Sequence, residues 1–146
     1  MMIEPFHPEH LERLLLQPSQ AMLQPALADR QYGEHLYSGG PAYTGLAGDQ
    51  VIACIGLFEM WENRAYAWGL IAKEAGPHFI HITKAVLRAM EMHQFRRIET
   101  AVLCNFTQGH RWARLLGFKH EGTMKSYTPT GEDCELYARV PCNSRR

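Results

Sequence analysis

The sequence lacks any excess of charge: fifteen Lys and Arg residues stand against fifteen Asp and Glu, a formal net charge of zero. A chain without a positive field has little to hold nucleic acid or an anionic bilayer, so neither is expected as a partner. No apolar run approaches the length needed to span a membrane. The start, Met1-Met2-Ile3-Glu4-Pro5, has no basic segment leading into an apolar one, so no secretory signal is expected. Cysteine is sparse and scattered: Cys54, Cys104, Cys134 and Cys142 form no Cys-x-x-Cys pair, which argues against a zinc knuckle or a disulfide framework. These absences describe a reduced, cytosolic protein with no resident metal. Internal repeats, linkers and low-complexity stretches are also missing, and 146 residues suffice for one hydrophobic core but not for two ordinary domains. Only the end, Asn143-Ser144-Arg145-Arg146, is locally basic, and it reads as a tail.

What is present is a chain of well-marked elements. A strand is expected near residues 2–6. Leu11, Leu14 and Leu15 repeat at helical spacing over residues 8–17, before Pro18. A weaker helical segment covers residues 26–36 and ends at the breaker run Ser38-Gly39-Gly40-Pro41. Three β-rich runs follow, at Ala42–Ala47, 51–60 and 64–72, joined by the turn pairs Gly48-Asp49 and Glu62-Asn63. Such short joints predict an antiparallel meander. The middle run is apolar on both faces, as a strand covered on both sides must be.

From residue 77 the period changes to that of a helix, with Phe79, Ile82, Val86, Ala89 and Met90 on one stripe and His81, Lys84, Arg88 and Glu91 opposite. This predicts a long helix over 77–95 with Pro77 in its first turn. A short apolar strand is expected at 98–104. A second helix follows at 107–116, closed by Gly117, with Leu115, Leu116 and Phe118 packing on the other side or end of the sheet. Residues 121–127 and 135–140 flank the turn-rich Pro129-Thr130-Gly131-Glu132-Asp133 and form a closing hairpin. A long helix between the strands at 64–72 and 98–104 requires those strands to be parallel.

The order β-α-α-β-β-β-α-β-α-β-β resembles that of the GNAT (Gcn5-related N-acetyltransferase) superfamily. Two features carry the resemblance: Asn105 followed by a helix ending in Leu116-Gly117-Phe118, and the strand of residues 66–72 entering a helix at Gly76. The run from Gly109 to Phe118, with Leu136-Tyr137-Ala138-Arg139-Val140, is similar to small GNAT-like proteins of phages and prophages, some of them acetyltransferases and some internal virion proteins. The fold implied is α/β (α+β), a mixed, mostly antiparallel sheet whose fourth and fifth strands are parallel and splay apart. Acetyl-CoA is the co-substrate implied, lying in the gap. Leu70, Ile71, Ala72, Lys73, Gly76, His78, Phe79 and Asn105 are the residues the resemblance assigns to it.

The phosphate loop departs from the family's Arg/Gln-x-x-Gly-x-Gly/Ala. Here it reads Lys73-Glu74-Ala75-Gly76-Pro77-His78, where Pro77 removes one donor and Glu74 adds a negative charge. Either the N–H groups of His78 and Phe79 with Lys73 still hold a pyrophosphate, or Gly76-Pro77 is only a helix start. The family's catalytic tyrosine is replaced by Ala113. His110 and Tyr127 are the candidate acids in its stead, and Glu59 and Glu62 are the candidate bases. His110 also reads as an ordinary polar helix residue, Trp112 as core packing, and the arginines Arg96, Arg97, Arg111 and Arg114 as solvated faces. His78 and His81 have no third ligand at metal spacing. The resemblance leaves two functions open. One is an acetyl-CoA-dependent N-acetyltransferase acting by direct transfer on a small-molecule or protein amine. The other is a catalytically degenerate phage protein with a structural role, located in the host cytoplasm or the virion, with a second copy of the chain or a phage protein as partner.

Overall fold

The computed structural model describes residues 1–141; the basic tail and Cys142 lie outside the described residues. Seven strands form one sheet in the order β1-β2-β3-β4-β5-β7-β6, comprising β1 (Met2–Pro5), β2 (Ala42–Ala47), β3 (Gln50–Trp61), β4 (Arg64–Ile71), β5 (Arg97–Leu103), β6 (Lys119–Met124) and β7 (Cys134–Arg139). Every neighbouring pair is antiparallel except β4 and β5, which are parallel as the crossover demands. The meander β2-β3-β4 turns at Gly48 (φ 64°) and Asn63 (φ 72°), left-handed positions suited to glycine and asparagine.

The helices are shorter than the sequence pattern suggests. Residues 8–17 form no α-helix: Pro8–Arg13 is a 3-10 turn, and beyond it Leu16 bridges antiparallel to Ala72 at the end of β4. The second helical segment, expected over 26–36, falls across the end of a 3-10 stretch, Pro18–Ala28, and helix α1, Arg30–Ser38. The division falls at Asp29, whose extended backbone (φ −86°, ψ 114°) ends the 3-10 stretch and starts α1. The Asp29 carboxylate then accepts the Gln31 N–H at 2.9 Å and caps α1. The long helix α2 covers Phe79–Met92, after a 3-10 turn at Gly76–His78.

Helix α3, Thr107–Leu115, ends as a Schellman motif: the Gly117 N–H donates to the Arg114 carbonyl at 3.0 Å, and the Phe118 N–H to that of Ala113 at 2.9 Å. Gly117 at φ 91° makes this turn possible. The motif swings Phe118 back under the helix, where it is buried with Leu116, Met90, Ile98 and Tyr137.

The two faces of the sheet are covered by different parts of the chain. The 3-10 stretches and α1 cover one, with Phe6, Leu11, Leu14, Leu27 and Leu36 packed on Cys54 and Leu70. Helices α2 and α3 both cover the other, joined by Trp112, whose indole N–H donates to the Thr83 hydroxyl at 2.9 Å and whose ring packs against Phe79. Leu116 and Phe118 therefore share the face of α2 rather than the opposite one. Leu115 departs further from expectation, being 67% exposed. Among the described residues no helix is long and apolar enough to cross a membrane.

Leu116→Ala should cost about 2–4 kcal/mol in chemical denaturation, because it opens a cavity among Met90, Ile98 and Phe118. Leu115→Ala should stay within about 0.5 kcal/mol of the parent. Equal effects at the two positions would contradict this packing.

Candidate active site

Strands β4 and β5 are hydrogen-bonded for only three rungs, Arg64 to Arg97, Ala65 to Ile98 and Tyr66 to Glu99, and then part. Each strand stays with its own half-sheet, β4 with β3 and β5 with β7. The first group beyond the last rung is the Ala67 carbonyl, which accepts from the Thr100 hydroxyl at 3.0 Å, so a side chain replaces the next backbone donor. The strands enclose a V that opens into a cleft of about 1030 Å³.

The closed end of the V is held by charge. Glu99 is buried and accepts two bonds from Arg64, at 2.6 and 2.9 Å, and one from Arg97 at 2.6 Å. Arg97 continues to Glu121 on β6 at 2.6 and 3.1 Å, and Arg64 stacks 4.3 Å from the Trp61 ring centroid. Arg97 is thus a structural cation rather than part of a solvated face. The Arg64 hydrogen bonds, with the one from Arg97, hold the Glu99 carboxyl down at about 2 against burial, which pushes the other way.

The cleft itself is weakly charged. Among the described residues that line it none is Asp, Glu or His; their ionisable groups are Lys73 and Arg111, the phenols of Tyr32, Tyr43, Tyr66 and Tyr127, and the Cys134 thiol. Burial pushes Tyr66 up to about 12, with nearby Tyr127 and Cys134 adding to the rise and the Ala101 backbone and Thr100 hydroxyl opposing it. Two buried polar atoms without a hydrogen-bond partner, Ser19 Oγ and Trp68 Nε1, belong to lining residues. The Trp68 ring lies across Gly56, where a Cβ would approach it to 2.5 Å.

Of the cofactor residues expected from sequence, Leu70, Ile71, Ala72, Lys73, Gly76 and Phe79 line the cleft; His78 and Asn105 do not. The His78 N–H is engaged with the Ala75 carbonyl at 2.8 Å, and that of Phe79 with Gly76, so neither is a free anion donor at this helix start. Lys73 is exposed at the rim, its Nζ 3.8 Å from Glu74. Asn105 is exposed in the turn before α3, although its neighbours Leu103 and Phe106 form part of the wall.

Of the expected catalytic residues, only Tyr127 lines the cleft. His110 lies outside it, with Nδ1 2.8 Å from the Tyr137 hydroxyl and Nε2 3.0 Å from the Cys104 carbonyl. A carbonyl only accepts, so Nε2 donates to Cys104; both nitrogens are committed, Nδ1 tying α3 to Tyr137 on β7 and Nε2 tying it to the turn after β5. Glu59 is exposed on β3 opposite Ala65, also away from the cleft, and Glu62 lies at the closed end beside Arg64 and Arg97. Among the described residues no three His, Cys, Asp or Glu side chains are grouped to hold a metal ion. Sequence reading missed Tyr66, Trp68 and Gln20. The alternation along β4 places Tyr66, Trp68 and Leu70 on one face, a signal for the first two, whereas Gln20 carries none.

No family model and no curated protein matches the chain. Solved structures do. A ribosomal-protein-alanine N-acetyltransferase from Brucella melitensis superposes with a TM-score of 0.74 at 15% identity, covering 97% of this chain and 100% of that one. A ribosomal-protein-S5-alanine acetyltransferase from Vibrio fischeri gives 0.68 at 14%, covering 99% and 94%. A GNAT-family acetyltransferase from Bacillus anthracis gives 0.69 at 14%, covering 94% and 93%. Likeness at such low identity is one of fold: the chain has the GNAT fold over nearly its whole length.

The Glu99 clamp generates a pH prediction. A carboxyl held below its ordinary 4.5 contributes stability that is complete above that value and is lost as pH falls toward about 2. Urea denaturation at pH 7 and pH 3 should show a smaller acid loss in Glu99→Gln than in the parent. An unchanged acid limb would mean that the clamp carries no linkage.

Proposed function

We propose that the chain is an N-acyltransferase that uses acetyl-CoA and transfers its acetyl group directly to an amine. The observation that carries this reading is the V itself: a parallel pair that stops at Tyr66 and Glu99 leaves one edge of β4 facing a cleft of about 1030 Å³. Exposed strand edges bind extended amides, and the pantetheine arm of coenzyme A is an extended chain with two amides. The edge groups of Gly69 and Ile71 would pair with it, and Lys73 at the rim would face its phosphates.

Bound acetyl-CoA supplies an activated thioester; the chain supplies alignment and polarity. Tyr66 holds its proton more tightly than an ordinary thiol near 8.5, so its role is to donate a hydrogen bond to developing negative charge rather than to give up the proton. With no carboxylate or imidazole in the lining, the acceptor amine has to arrive neutral. Alignment of amine and thioester then carries most of the rate. Two of the fold neighbours are ribosomal-protein-alanine acetyltransferases, and an amine acceptor is the part of that chemistry carried over here.

A second reading, a GNAT-fold phage protein with an assembly or protein-binding role, is favoured by the engaged N–H groups of His78 and Phe79 and by the absence of an acid–base pair in the cleft lining.

Calorimetric titration with acetyl-CoA separates the two. The first reading expects micromolar binding, weakened by about 1 kcal/mol in Lys73→Glu, a modest loss because the side chain is 55% exposed. No heat at millimolar ligand would favour the second. If binding is found, Tyr66→Phe should lower kcat by about 10²-fold with little change in KM.

A further inference from the structure

The β4 edge within the cleft is already paired, and its partner is a side chain. The Gln20 Nε2 donates to the Gly69 carbonyl at 2.7 Å, and the Ile71 N–H donates to Gln20 Oε1 at 2.9 Å. One donor and one acceptor bonded to residues two apart on the same edge is the pattern of a single residue of a parallel strand. The Gln20 carboxamide thus imitates the peptide group that β5 would supply had it not diverged after Glu99. The backbone beside it bonds in the opposite sense, as the antiparallel bridge of Leu16 with Ala72, with the Gln17 N–H donating to the Ile71 carbonyl at 2.9 Å and the Lys73 N–H to the Leu15 carbonyl at 3.0 Å.

Residues 15–20 therefore form a strap along the end of β4. A second glutamine fastens the strap from behind: Gln24 accepts the Leu16 N–H at 2.8 Å and donates to the Leu14 carbonyl at 2.9 Å. The strap runs into the 3-10 stretch Pro18–Ala28, which contains Pro25 and lacks the cooperative hydrogen bonding of a long α-helix. Gln17 Nε2, 3.3 Å from Gln20 Oε1, adds the remaining polar contact of the carboxamide.

We infer that Gln20 sets the donor affinity of this protein: its carboxamide competes for the two β4 groups that an extended amide ligand needs, so the ligand binds only as Gln20 swings away. The inference rests on the reading of the cleft as an acyl-CoA site. It makes the strap a determinant of which ligands enter. A pantetheine arm, whose amides replace both hydrogen bonds, can displace Gln20 without leaving Gly69 and Ile71 unpaired, whereas a ligand without an amide cannot.

The test compares the parent with Gln20→Ala and with Gln20→Met, which keeps the side-chain length but makes neither bond. Each protein is titrated calorimetrically with acetyl-CoA, and the exchange of the Ile71 backbone amide is followed by NMR with and without ligand. Both variants should bind roughly tenfold more tightly than the parent, as expected when two neutral hydrogen bonds no longer have to be given up. Their Ile71 amide should exchange faster in the free protein and be protected again by ligand. Binding that is unchanged or weaker in folded variants, or an Ile71 amide that stays protected without Gln20, overturns the inference and leaves the acyl-CoA reading in place. If neither the parent nor the variants bind, the acyl-CoA reading fails first and the inference with it.

Discussion

The site depends on how two half-sheets are joined. Three rungs, the Thr100–Ala67 hydrogen bond and a charge cluster hold β4 to β5, and at the centre of the cluster is Glu99, buried and accepting from Arg64 and Arg97. A carboxylate taken out of water is costly unless its lone pairs are filled, and two guanidinium groups fill them here. The join is therefore localised. It pins the strands at one end, while β3 and β7 draw them apart at the other, and the V follows from that competition. Trp61 over Arg64 and Glu121 beyond Arg97 extend the clamp onto β3 and β6, so both half-sheets share in it.

Much of this architecture was legible in the sequence. The meander, the crossover and the closing hairpin all follow from turn pairs and from changes of hydrophobic period. The parallel direction of β4 and β5 follows from the helix between them. The first forty residues were harder to read, because Leu11, Leu14 and Leu15 repeat as a helix would, yet Pro8, Pro18 and Pro25 keep that region in 3-10 turns. Packing overrode the pattern at Leu115 as well, since the Schellman turn at Gly117 commits Leu116 and Phe118 to the core and leaves Leu115 outside.

The candidate site was read less fully than the fold, for a physical reason. A family pattern locates backbone and therefore reached the edge and rim of the cleft at Leu70, Ile71, Ala72, Lys73, Gly76 and Phe79, but it does not say what each side chain bonds to. His110 was attractive by residue type and proves to be spent on Tyr137 and Cys104. Tyr66, inconspicuous inside a strand, is the most perturbed phenol of the cleft because the V buries it. Gln20 illustrates the same limit: only the parting of β4 from β5, a tertiary event, gives a carboxamide in a proline-flanked segment two backbone groups to bond.

The central claim is that the edge of β4 facing the cleft is the binding edge. An NMR titration of the labelled protein with acetyl-CoA tests it most directly, by following backbone amides across the whole sheet. The account predicts that the largest shift changes fall on Gly69, Ile71, Lys73 and Gly76 and on residues 15–20, with little change along β1 and β6 at the outer edges. No change at saturating ligand, or changes confined to those outer strands, would contradict it.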